Sequence, residues 1–449
     1  MKFRFFNTIK DIFSIEELRN RIVTTIGYLL IFRLGSFILL PGVDYAAVQD
    51  AISQAKNASG GSGLLDLINT FSGGAFENKS IFGLGIMPYI SASIIMQLLQ
   101  VAVPSVQKMQ KEGESGRKRF NQITRLLTIV ICVVQSIAFI QYVQSQPDMV
   151  AINQGLFFFT SLCILTAGTV FCMWLGEKIT EKGIGNGISM LIMIGIISRL
   201  PAQFLSELSQ KVSQDNLLFL VLELTALFFI VMFAVMITQA TRRIPVNYAK
   251  QVVGNKVYGG GQRQYIPLKV NTAGVMPIIF AQSLMMAPMF VFQQGESAWM
   301  KSLAAVYSDP SSWGYTITSA IMIVIFTFFY TALVINPQQI SDDLKRNGGF
   351  IPGIKPGEAT ANFIDDILSK ITFPGAVFIA IIAIMPSIAS SAKVNGGFAQ
   401  FFGGTSLLIL VGVVLDTLQQ IESYLLLRKY DGMMKSGKLK GRNQEIAVG

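Results

Sequence analysis

Apolar stretches of about twenty residues recur along the whole of this 449-residue chain, each long enough to cross roughly 30 Å of hydrocarbon. Nothing else constrains the fold as strongly. Composition agrees, since the chain is 51% hydrophobic and only 14% charged, where a soluble protein carries about a quarter charged residues. The sequence therefore predicts an all-α polytopic membrane protein. Ten spans are expected, near 22–40, 80–101, 123–143, 155–175, 184–200, 216–240, 271–292, 314–336, 372–388 and 403–427. The start, "MKFRFFNTIKDIFSIEELRNR", has no short apolar core before a small-residue cleavage site, so no signal peptide is expected. It reads as an amphipathic surface helix with Ile9, Ile12, Phe13 and Leu18 on one side.

Basic residues give the orientation. With the N-terminus inside, 29 of the 36 Lys and Arg residues fall on cytoplasmic segments. The positive-inside rule then places both termini in the cytoplasm. Much of the +10 net charge sits on that face, beside anionic lipid and whatever docks there.

Two cytoplasmic segments are too long to be plain connectors. Residues 241–270 mix β-branched residues and tyrosines with a Gly-Gly-Gly turn, and read as a protruding basic hairpin. Residues 337–371 carry turn chemistry at Gly348-Gly349 and Pro352-Gly353, then a short helix over "GEATANFIDDILSKI". A flexible basic linker is the plainer alternative. Structured basic protrusions suit an acidic or RNA-containing partner.

Several chemistries are missing. Without histidine there is no imidazole acid–base couple or imidazole zinc site. Cys132, Cys163 and Cys172 all lie in expected spans and form no CxxC, so they read as small buried apolar residues. No GxxxxGK[ST] occurs, and "KGIGNGIS" (182–189) leads into a span instead of following a strand. It is better read as a close-packed or flexible start to a helix. No enzyme, cofactor or metal site is expected.

The stretch "LLDLINTFSGGAFENKSIFGLGIMPYISASIIMQLLQ" (64–100) begins with an apolar helix too short to cross a bilayer. Broken helices mark the binding sites of secondary transporters, which form the rival reading. A transporter also needs ionisable groups deep in the membrane. The candidates are Arg33, Glu223, Asp416 and Glu422, and no two of these acids share a spacing that builds a site. Each reads more simply as a charge answered by a neighbouring helix. Ile86 and Ile90, after "FGLG", share a helix face, as do Ile188 and Ile192, after "GIGNG".

Long motifs add to this. "FSGGAF", "GIMPYISASIIMQLL", "EKGIGNGIS", "RRIPVNYAK", "PLKVNTAGVMPIIFAQS", "NPQQISDDLKRNGGFIPGIKPGE" and "FFGGTSLLILVGVVLDT" together resemble the SecY family, the large subunits of bacterial protein-conducting channels. The resemblance runs in one register over nearly the whole chain. It implies ten helices in two inverted halves of five: 22–200, with a plug at 64–76, and 201–427, flanked by the surface helix 1–21 and a basic tail 428–449. The plug would comprise Leu64, Leu65, Leu67, Ile68 and Phe71, with Gly73, Gly74 and the polar "ENKS" as its hinge. Half-helices at that depth are tolerated where they line an aqueous cavity or are buried in protein.

The family's constriction ring maps onto Ile86, Ile90, Ile188, Ile192, Ile279 and Ile409, and its lateral gate onto Ser91, Gln135 and Gln282. Partner docking maps onto Arg242, Arg243, Lys250, Lys256, Lys345, Arg346 and Lys355. Lys355 stands where the family usually has arginine; it keeps the charge and loses the planar fork. The implied partners are SecE, SecG, the SecA motor ATPase, the ribosome, signal peptides, unfolded preproteins and membrane lipid. The implied setting is the bacterial plasma membrane.

Overall fold

A computed structural model describes residues 13–57, 69, 72–146, 149–248, 251–253, 256–258, 264–281, 285, 312–392, 394 and 396–435. Helix α1 (Glu16–Gly35) covers most of the first expected span, and it also takes in the end of the expected surface helix. It stops short of residue 40 because the next residues turn to backbone pairing instead. Leu40 N–H donates to Lys79 O at 2.9 Å, and Ile81 N–H donates to Ile38 O at 2.9 Å. Helix α2 (Tyr45–Asn57) follows.

The second span begins later than its apolar run. Residues 73–86 form successive turns, with positive φ at Gly73, Gly74, Lys79 and Gly85. Helix α3 (Met87–Ala102) starts only at Met87, with Pro88 in its first turn, where a missing N–H costs nothing. A short α4 (Pro104–Lys111) leads on to four long helices. Helices α5 (Glu114–Gln144), α6 (Gln154–Lys182), α7 (Gly187–Ser213) and α8 (Leu217–Gln239) are each long and apolar enough to span. The expected division between halves at 200/201 falls inside α7, which runs through Pro201.

The expected hairpin forms. Strand β1 (Thr241–Tyr248) precedes a tip of β2 (Gln251–Val253) and β3 (Lys256–Tyr258). Strand β4 (Gln264–Lys269) returns antiparallel to β1, with Thr241 opposite Lys269. After α9 (Trp313–Val334) and α10 (Pro337–Arg346), the two-residue β5 (Gly349–Phe350) pairs with the other edge of β1. The two long segments are thus one unit with a three-stranded sheet. Its own small core holds Ile244, Val246, Leu268, Leu344, Ile351, Ile364 and Leu368.

Helix α11 (Glu358–Ser391) merges the expected short helix with the ninth span. Its 34 residues make a rod of about 51 Å, continuous through Pro374 and Pro386. A short α12 (Gly396–Ala399) and a 3-10 turn (Gln400–Phe402) lead into α13 (Gly404–Lys435), which extends past the last span into the tail. Of the span at 271–292, the described part is helical at 276–281 and at 285. Cys132 and Cys172 are buried as expected, but Cys163 is exposed on the outer face of α6.

Candidate functional site

Ile86 caps α3, and its carbonyl accepts the N–H groups of Tyr89 and Ile90, both at 3.1 Å. The left-handed turn at Gly85 sets that start. On α7 the cap is Asn186, whose Oδ1 accepts from Ile188 N at 3.1 Å and Ser189 N at 3.4 Å. The adjoining Gly187 lies against α6 so closely that a Cβ would sit 1.9 Å from Gly176 O. The "GIGNG" run is a close-packed corner, further tied by Gly185 N–H to Gln420 Oε1 at 2.8 Å and Ile184 N–H to Thr25 Oγ1 at 3.0 Å.

These starts aim isoleucines inward from four separate elements. Ile86, Ile90, Ile192 and Ile409 are buried in one apolar cluster, and Ile188 and Ile279 are half-buried against it. Phe280, Phe398, Phe401 and Phe402 belong to the same cluster. Ile279 lies on the 276–281 stretch and Ile409 on α13. Such a cluster is unfavourable to wet, and its contacts are non-directional.

Leu64, Leu65, Leu67, Ile68 and Phe71 lie outside the described residues, whereas Gly73 and Gly74 are described. Gly73 takes φ +65°, and a Cβ there would meet Gly195 Cα of α7 at 2.7 Å. The "ENKS" stretch, expected as part of the hinge, begins with half-buried Glu77 and Asn78. Lys79 and Ser80 are buried, and Ser80 forms a β-bridge with Leu39. The Lys79 ammonium lies 4.9 Å from the centre of the Tyr142 ring, and burial pushes its pKa down while Glu77 opposes that shift.

Ser91 and Gln135 sit half-buried on α3 and α5, neighbouring helices, and Ser91 donates its hydroxyl to Met87 O at 3.1 Å. Gln282 lies outside the described residues. Arg242 and Arg243 are exposed on β1, Lys345 and Arg346 on the last turn of α10, and Lys355 on the following turn. That turn is pinned by Ser341 Oγ donating to Gly357 O at 2.7 Å and Thr360 Oγ1 donating to Lys355 O at 2.9 Å. Lys256 lies in β3, and Lys250 is outside the described residues.

Sequence reading missed two ionic arrangements. Lys211 Nζ lies 2.7 Å from Glu223 Oε1 and 3.4 Å from Glu207 Oε1, with all three side chains buried. Arg33 donates from Nη1 to Gly73 O at 2.7 Å. Glu223 is therefore held by a structural partner, and Asp416 and Glu422 are exposed on α13. A transporter's coupling acid is not found in this set.

The profile of the SecY family matches residues 80–418. A protein translocase subunit SecY of Escherichia coli is 43% identical over 95% of this chain and 96% of its own length. The counterpart of Chlamydia trachomatis is 39% identical, over 97% of this chain and 99% of its own. A solved protein-conducting channel shares the fold over 94% of this chain and 95% of that one, with a TM-score of 0.62 and 18% identity. Another, from work on how the SecY plug domain stabilises the closed channel and maintains a membrane seal, has a TM-score of 0.60 and 17% identity.

Proposed function

The chain belongs to the SecY family, and from that membership we propose that it forms the pore of a protein translocase. It passes unfolded secretory chains across the bacterial plasma membrane and releases apolar segments sideways into lipid. It is a channel and not a catalyst, so the energy for transport comes from its partners. Those are the SecA motor or a translating ribosome on the cytoplasmic face, with SecE and SecG in the membrane. Both termini are cytoplasmic in this reading.

The observation that carries the reading is the convergence of six isoleucines from α3, α7, α13 and the 276–281 stretch on one apolar cluster. They act as the constriction ring, with the segment before Gly73-Gly74 as plug and Ser91, Gln135 and Gln282 along the lateral seam. Reconstitution with SecE and a motor ATPase tests it, read by protease protection of a preprotein. Protection that needs ATP and the chain is the expected result; vesicles that instead show only substrate-coupled ion flux would restore the transporter.

The exposed charges of the cytoplasmic unit serve docking. Lys355→Glu or Arg346→Glu is expected to slow motor-driven export severalfold more than ribosome-delivered insertion, because a rim charge acts mainly on encounter with a charged partner. Parallel assays of both routes check this. Equal defects would point to misfolding of the turn that Ser341 and Thr360 hold.

A further inference from the structure

Two regimes of attachment meet at Gly74. From Ala75 onward the chain is fastened to the wall by backbone bonds and aromatic contacts: Leu40 and Ile38 pair with Lys79 and Ile81, and Phe76 meets Phe139 and Tyr142 of α5. Gly73 is held differently. Its Cα faces the Gly195 backbone, an approach that no side chain fits between, and its carbonyl accepts a hydrogen bond from Arg33. That arginine stands in the last turn of α1, where the helix C-terminus favours a cation. Its guanidinium also lies 4.5 Å from the centre of the Phe37 ring.

A nearby tether backs the first. Glu77 accepts from the Asn69 side-chain amide and, at 3.4 Å, from Arg199 Nη2 of α7, while Asn69 Oδ1 accepts from Glu77 N–H at 3.2 Å. Gly74 N–H closes the turn onto Asn69 O at 3.0 Å. The turn that leads out of Gly73 is therefore clamped between α1 and α7, one arginine on each side. Arg33 is costly within an apolar span unless it has work there, and its position gives it a carbonyl that no helix satisfies.

We propose that Arg33 is a positioning residue of the gate: it latches the Gly73 carbonyl to α1 in the resting channel, and opening requires that bond to break. The proposal rests on the plug reading above. Because a charged donor to a single carbonyl is replaceable by water only once the turn moves, its loss shifts the resting equilibrium toward open by roughly tenfold.

The test uses the full channel with its small subunits in planar bilayers, comparing Arg33→Leu, Arg33→Lys and deletion of residues 64–71. Resting conductance is expected to rise about tenfold in Arg33→Leu. In Arg33→Lys, which keeps the charge and one donor, it stays within about twofold of the parent. In the deletion background Arg33→Leu adds nothing, since there is nothing left to latch. A deletion that leaves conductance unchanged sinks the plug reading itself. If the deletion leaks but Arg33→Leu does not, or if the lysine variant leaks as much as leucine, the plug stands and the latch is wrong. Leakage that adds fully in both backgrounds also overturns the latch.

Discussion

Lys211→Met is expected to cost the protein about 3–5 kcal/mol of stability, enough to lower its detergent melting temperature by many degrees. One lysine answers two carboxylates here, at 2.7 Å to Glu223 and 3.4 Å to Glu207, with no more than 7% of any of the three side chains exposed. Removing the cation leaves two like charges buried together. The triad joins the C-terminal end of α7 to the start of α8, so its failure should loosen that hairpin first. Adding Glu207→Gln and Glu223→Gln to the methionine variant should return most of the loss, because the buried charges go with the cation. Thermal unfolding of the three proteins decides the matter. A single variant as stable as the parent would show that the triad is not coupled.

Ile409→Asn is the second large effect, and it falls on function. Ile409 is 3% exposed within the central apolar cluster. An amide held there without partners costs about 1–3 kcal/mol, whereas an open, wetted constriction solvates it. The closed state is thereby penalised relative to the open one, and about 1.4 kcal/mol shifts that balance tenfold. The expected phenotype is a loose gate that exports preproteins with defective signal sequences, since less of the signal's binding energy is needed for opening. Ile409→Val keeps the seal apolar and should do little. Export of one preprotein with an intact and a crippled signal, through each variant, makes the comparison. Asparagine and valine behaving alike would remove Ile409 from the ring.

Apolar runs such as Leu217–Gln239 announced their helices because lipid demands continuous apolarity, and turn chemistry announced the hairpin of β1 and β4. Helix ends were harder to read. Hydropathy reports the solvent, while a helix stops where its backbone bonds stop, so α11 runs on from "GEATANFIDDILSKI" into lipid without a break. The reverse happened at residues 36–40 and 80–86, apolar stretches that leave the helix to pair with one another. Ile86–Ile90 and Ile188–Ile192 were visible as spaced pairs, but their meeting with Ile279 and Ile409 depended on motif resemblance. The charges showed the limit most clearly. Arg33 and Glu223 stood out as ionisable groups in spans, yet Gly73 lies forty residues from one, and Lys211 sat past the expected end of its helix.

The union of β1 with β5 has a consequence for how a copy of this protein is made. Strand β1 is synthesised about a hundred residues before Gly349–Phe350, and α9 must be threaded into the bilayer between them. Until then one edge of β1 is open and Ile244 and Val246 lack Leu344 and Ile351 as cover. The three-stranded sheet that carries Arg242 and Arg243 is therefore closed only once Gly349 and Phe350 have been made, late in the synthesis of the chain.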